Sequence, residues 1–341
     1  MNKTAVLLVN LGSPASTDPA DVKRYLEEFL MDPEVLDFPA PLRALVVKGF
    51  ILPTRPAKSS EAYKKIWTDE GSPLIFISER IRAALEAHAG VPVGLAMRYG
   101  EPSIAGAVDG LLARAGEVDE VVVVPMYPQY AMATTRTVEL AVGKALQARG
   151  VRGRFVRSFY SDPGYLDALA ALARRDYPGD AQYLLFSYHG VPLRQLRKVD
   201  PTHRHCLASP DCCSKTSPAH ATCFRHQAIE TTAGVARRLN LREGTYGYGF
   251  QSRLGPGWLR PFTDELVPAF PAQGITRLAV VCPSFVADCL ETLEEIAMDA
   301  REEFLEAGGE SFTYLPCLND DPLWIAALAN LCRIPDAAAR A

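Results

Sequence analysis

The 341 residues are 48% hydrophobic and 22% charged, with a formal net charge of −4. That composition supplies a sizeable core and excludes both a disordered tail and a protein drawn to nucleic acid by its overall field. The length suits two domains of ordinary size.

The chain opens MNKTAVLLVNLGSP, an apolar run that stops at Asn10. It is too short for a secretory signal or a membrane span and reads as a buried strand, AVLLVN (5–10). The following NLGSP has one glycine where a phosphate loop needs G-x-G-x-x-G, so no nucleotide is indicated. DPADVKRYLEEFL then carries a helix start, with Asp18 as capping residue and Pro19 at the first helical position. FPAPLRALVVKGFILP (38–53) is interrupted by prolines, Arg43 and Lys48 and does not read as a span. It is either a buried helix with Pro-marked ends or an apolar lip at a cavity mouth, which leaves peripheral membrane contact open. VGLAMR (93–98) and VVVVPM (121–126) read as further buried parallel strands.

Asp162 and Pro163 repeat the helix-start signal in SDPGYLDALAALARR, and YLLFSY (183–188) and LAVVCP (278–283) complete the set of buried strands. Strands alternating with helices predict a doubly wound α/β architecture in two similar lobes. The first spans 1–150 with the apolar segment 38–53, completed by a C-terminal helix over 320–341. The second spans 151–319 and carries His189, a Cys-rich loop (203–226) and an acidic helix (288–299). Eight cysteines without a signal-like leader point to a reducing, cytoplasmic setting, where clustered thiols hold metal more often than they form disulfides.

Ligands of open α/β folds sit beyond the carboxyl ends of strands. His189 lies at such an end and is followed by Gly190, so its ring is expected in a crevice, although a lone histidine is also a common structural residue. Asp288, Glu291 and Glu295 recur at i, i+3 and i+7, which places them on one helix face. They are either a solvated acidic first turn or a carboxylate line able to relay protons and pass on a hard cation.

SYHGVP (187–192), YPQYAMATT (127–135), GFQSRLGPGWLRP (249–261) and FVADCLETLEEI (285–296), with NLGSP, FLMDPEVLD and AYKKIWTDEGSPL (62–74), together resemble the ferrochelatases, which insert ferrous iron into a porphyrin ring. The resemblance covers nearly the whole chain in the family's order. It implies two Rossmann-like lobes with four-stranded parallel sheets flanked by helices, the tetrapyrrole held between them, and insertion of Fe²⁺ into protoporphyrin IX or coproporphyrin III as a terminal step of haem synthesis. Matching residue by residue, it implies His189 as the residue that takes pyrrole protons or meets iron. Glu291 would be its carboxylate partner, with Asp288 and Glu295 behind as an acidic path. It also implies Leu11, Met97, Arg98, Tyr99, Tyr127, Gln129, Tyr130, Ser252 and Trp258 as substrate-binding residues, Arg98 orienting either a propionate or a pocket carboxylate. Some relatives carry His where this chain has Cys289. A cobalt or nickel chelatase of another tetrapyrrole, and an idle haem or metal carrier or redox sensor, are the competing readings.

The loop HRHCLASPDCCSKTSPAHATCFRH sets Cys206, Cys212, Cys213 and Cys223 within eighteen residues in a C-x5-C-C-x9-C pattern. That is not the paired C-x2-C spacing of a zinc ribbon, and four thiolates suffice for one [2Fe–2S] centre, so His203, His205, His220 and His226 are alternative ligands that are not needed. Certain ferrochelatases hold such a cluster, so ligation by these four is expected, with structural zinc and free thiols as the alternatives. The loop is expected to act as a staple beside the reaction. Cys282, Cys289, Cys317 and Cys332 are expected to be packed thiols.

Overall fold

The computed structural model describes residues 3–255 and 257–333, which form two compact units. The first takes in residues 3–126, 132–157 and 328–333; the second takes in 127–131 and 158–327.

In the first unit, β1 (Thr4–Asn10), β2 (Val93–Met97), β3 (Glu120–Pro125) and β4 (Gly153–Phe155) make a parallel sheet in the order β2-β1-β3-β4. β1 lies between two partners and is buried from Ala5 onward, which is why its sequence runs apolar without alternation. The helix Pro19–Leu30 begins where expected: the Asp18 side chain accepts from the Ala20 N–H at 2.7 Å, and Pro19 lacks a donor where none is needed. Gly12, just past β1, has φ +113°, and a Cβ there would stand 1.8 Å from the Tyr99 carbonyl oxygen. The same turn is tied by Tyr99 N–H donating to the Leu11 carbonyl at 2.9 Å.

The second unit repeats this plan. β5 (Tyr183–His189), β6 (Tyr246–Gln251), β7 (Arg277–Val281) and β8 (Ser311–Leu315) are parallel in the order β6-β5-β7-β8. Leu185, Leu278, Val280 and Phe304 anchor a core on one side of its sheet. Fully buried Trp324, from the helix Pro322–Leu331, packs on Phe159 and Tyr165 at ring separations of 5.5 and 6.0 Å. Of the C-terminal helix expected over 320–341, residues 334–341 lie outside the described residues.

Three stretches wind as π-helix: Leu45–Ile51, Met132–Arg136 and Glu295–Ala300. In the first, Val47 and Leu52 pack on Leu30 while Leu42, Leu45 and Phe50 face solvent, so the segment 38–53 is buried on one side and apolar on the other. Arg43 turns inward and donates to the Phe38 carbonyl at 2.8 Å, and Lys48 pairs with Glu27. Among the described residues no helix is long and apolar enough to cross a membrane.

Gly12→Ala is expected to destabilise the fold by about 3 kcal/mol or more, since strain at positive φ adds to a backbone collision. Gly71→Ala, with φ +93° but nothing within 4 Å of its Cβ position, is the comparison and is expected to cost about 1 kcal/mol. Thermal unfolding of the two variants measures the difference, and equal losses would rule out the collision.

Candidate active site

β5 and β6 end together, with His189 opposite Gln251. Gly190 follows, and it permits a close approach: its N–H donates to the Gln251 carbonyl at 2.8 Å, and a Cβ would meet that oxygen at 2.9 Å and the Trp258 ring at 3.1 Å. The half-buried His189 ring lies beside Trp258 and Phe285, with ring separations of 6.5 and 6.3 Å. Its Nδ1 is 2.7 Å from the Gly190 carbonyl. A carbonyl only accepts, so Nδ1 is the donor in this contact and Nε2 is the ring nitrogen turned away from it.

The acidic segment follows β7, and the helix expected over 288–299 starts later, at Leu290. It runs Leu290–Leu293, widens into the π stretch Glu295–Ala300, where Asp299 N–H reaches back to the Glu294 carbonyl, and continues to Glu306. Asp288 therefore lies ahead of the helix and does not share a helical face with Glu291 and Glu295. Its buried carboxylate accepts from Thr292 Oγ1 (3.1 Å), Tyr314 Oη (2.5 Å), the Cys317 N–H (3.3 Å) and Asn319 Nδ2 (2.8 Å). Glu291 is half-buried; its carbonyl accepts from Gln251 Nε2 at 2.7 Å, and the buried thiol of Cys289 bonds its carboxylate. Glu295 accepts from Ser252 Oγ, and Ser252 itself sits in the left-handed backbone region at φ 61°. Burial first, and then repulsion from Glu291, pushes the Glu295 carboxyl up to about 7, against opposing hydrogen bonds from Ser252 and Gln251.

The other expected substrate residues fall into two groups. In the first unit Leu11 is half-buried and Met97 and Tyr99 are buried, while Arg98 pairs with the buried carboxylate of Asp32. Asp32 also accepts from Tyr99 Oη at 2.9 Å and Thr137 Oγ1 at 2.6 Å. In the second unit Tyr127 is half-buried, and Gln129 and Tyr130 are buried. Gln129 Nε2 donates to Thr231 Oγ1 at 3.1 Å, and the Tyr130 N–H donates to Gln227 Oε1 at 2.7 Å.

The loop 203–226 is built on Asp200, whose buried carboxylate accepts from the N–H groups of Thr202, His205 and Cys206, each at 2.8 Å. Burial opposes its ionisation, but these bonds outweigh burial and hold the carboxyl well below its usual range. Cys206, Cys212 and Cys223 are buried and Cys213 is half-buried. The thiols of Cys213 and Cys206 both bond Cys223, which lies at the start of the helix Phe224–Leu239, and those bonds draw its thiol below the ordinary range. The histidines are engaged differently: His205 and His226 bond the carbonyls of Cys212 and Cys213 at 2.9 Å each, and His220 stacks on His226 at 3.6 Å. Among the described residues no group of three or more His, Cys, Asp or Glu side chains is spaced to hold a metal ion.

A family model for ferrochelatase matches residues 3–334. The chain belongs to the ferrochelatase family. It is an enzyme that inserts iron into a porphyrin in haem synthesis. The ferrochelatase of Azotobacter vinelandii is 49% identical, with 98% of this chain and all of that protein covered; that of Opitutus terrae is 47% identical, with 98% of each covered. Among solved structures, SirB from Bacillus subtilis with Fe³⁺ superposes with a TM-score of 0.53 over 99% of this chain and 97% of that one. At 13% identity it shows the shared chelatase fold alone.

Within the second unit, then, His189 lies beside Trp258 at the end of β5, while Ser252 and Gln251 join the end of β6 to Glu295 and Glu291. Sequence reading missed Gln251, which touches most of that group, and Asp32; both stand inside the family motifs GFQSRLGPGWLRP and FLMDPEVLD.

Because the folded carboxyl of Glu295 is raised, the unfolded chain ionises first as pH climbs, and the fold weakens until pH passes about 7. Glu295→Gln removes that penalty. It is expected to stabilise the protein by up to about 3 kcal/mol near pH 8 and to have little effect near pH 4, as read by thermal unfolding at both.

Proposed function

We propose that His189 Nε2 takes pyrrole protons during iron insertion, with Glu291 as its carboxylate partner and Glu295 receiving protons behind it. The observation that carries this reading is the commitment of Nδ1 to the Gly190 carbonyl, which leaves Nε2 as the nitrogen able to meet the macrocycle. Insertion expels two protons from the macrocycle while Fe²⁺ sheds water, so the reaction needs a base and groups that exchange protons near neutral pH. Glu295, at about 7, has that property. Asp288, with four donors on its carboxylate, is assigned to holding the turn and not to carrying protons. The porphyrin is protoporphyrin IX or coproporphyrin III, and parallel assays with both decide between them.

In anaerobic assays with ferrous iron, His189→Ala is expected to lower the rate of metallation about 100-fold or more, followed by the absorbance change of the porphyrin. His189→Ala at the wild-type rate would remove the assignment.

We also propose that Cys206, Cys212, Cys213 and Cys223 hold a [2Fe–2S] cluster. The donor chemistry supports it, though the thiols as placed are not spaced for a metal ion: four lie on one loop, three of them buried, with two in contact with Cys223. Bound there, the cluster would cross-link the loop as a staple. A loop of clustered thiols suits work in a reducing cytoplasm. The exposed Leu42, Leu45 and Phe50 suit an apolar lip that handles a poorly soluble macrocycle or touches a membrane surface.

The purified protein is expected to be coloured and to contain about two iron atoms and two acid-labile sulfides per chain. Cys223→Ser is expected to lose the colour and unfold at a lower temperature. A colourless protein containing zinc would reject the cluster.

A further inference from the structure

We infer that Gln251 is the positioning residue that holds the two acids against the strand bearing His189. This rests on the assignment of Glu291 and Glu295 to the iron-insertion reaction. Gln251 ends β6 with only 4% of its surface exposed, and both ends of its amide are engaged. Oε1 accepts from the Ser187 hydroxyl at 2.7 Å and lies 3.7 Å from the Cys282 thiol. Nε2 donates to the Glu291 carbonyl at 2.7 Å and faces the Glu295 carboxylate at 3.5 Å.

Only one orientation of this amide works. Reversal would set its oxygen against the carbonyl oxygen of Glu291 and the carboxylate of Glu295, costing both this donor and leaving the carboxylate with Ser252. Ser187 is fixed in turn by Thr263 at 2.9 Å, so the amide is clamped from the sheet side. Through its main chain the same residue accepts from Gly190, directly after His189. One side chain thus ties β5 and the end of β7 to the backbone of Glu291 and the carboxylate of Glu295. Its N–H favours the ionised form of Glu295, against the burial that opposes it.

Two variants test this in the intact enzyme. Gln251→Met keeps the volume and removes both ends of the amide; Gln251→Glu keeps the oxygen end and replaces the donor with an acceptor. For each, kcat and the porphyrin KM are measured from mildly acidic to mildly alkaline pH, with thermal unfolding to count folded protein. The expected result is a fall in kcat of about 10-fold or more per folded molecule, with KM within about twofold of wild type. The acid limb of the pH profile should also move to higher pH, because Glu295 has lost a donor that favoured its ionised form. Wild-type kcat and an unmoved limb in both variants would overturn the inference, as would a loss of rate equal to the unfolded fraction. Glu291→Gln separates the two levels. If it is inactive while the Gln251 variants are normal, the role of Gln251 alone fails; if it is fully active, the acid assignment fails and this inference with it.

Discussion

The register of β5 against β6 decides which side chains meet at the strand end, because successive residues of a strand point to opposite faces. Tyr188 is fully buried with its hydroxyl 2.8 Å from Thr232, whereas His189 next to it is half-buried among Trp258 and Phe285. A slip of one residue would exchange them, burying an imidazole in the core and presenting a phenol in its place. The slip is resisted from both sides. Leu184 to Tyr188 have no exposed surface on which to compromise, and Gly190 can approach the Gln251 carbonyl only in the observed alignment. The geometry at the strand end is inherited from hydrophobic packing several residues upstream.

Much of this plan was readable from the chain. AVLLVN, VVVVPM, YLLFSY and LAVVCP announced themselves because strands buried on both faces lose the polar half of their alternation. β6 did not, since Gly247 and Gly249 interrupt its run, and β4 is three residues long with a glycine of its own. β8 is an edge strand with mixed burial and carries a weaker signal. At the candidate site, the place of His189 at a strand end was legible from the apolar run before it. Gln251 was not, because its role exists only through partners 40 and 64 residues away in sequence. The pairing of Arg98 with Asp32, 66 positions upstream, was hidden for the same reason. Helical periodicity misplaced Asp288, since it assumed a helix that had not yet begun.

The cysteine loop is ordered by ordinary polar chemistry. Asp200 gathers three N–H groups, and Thr222 donates to the Val199 carbonyl at 2.8 Å, closing the base of the loop. His205 and His226 spend ring nitrogens on cysteine carbonyls, which directs those backbones and leaves sulfur as the softer donor set. The loop meets the helix Phe224–Leu239 at Cys223, and that helix packs on the same unit as His189 through Gln227 and Thr232. A brace at this point would act on the frame that carries the base while staying apart from the base itself.

The widened turn at Glu295–Ala300 has a further consequence for how this gene can vary. A π stretch contains, in effect, one surplus residue. Deleting a single codon inside it would let uninterrupted α-helical bonding resume, with the turns on either side, Leu290–Leu293 and Arg301–Glu306, kept in phase. The loss would fall on the widened turn itself, where the Asp299 N–H now reaches the Glu294 carbonyl five residues back. A chain shortened by one residue here is therefore expected to keep its fold while the spacing of side chains within this turn changes.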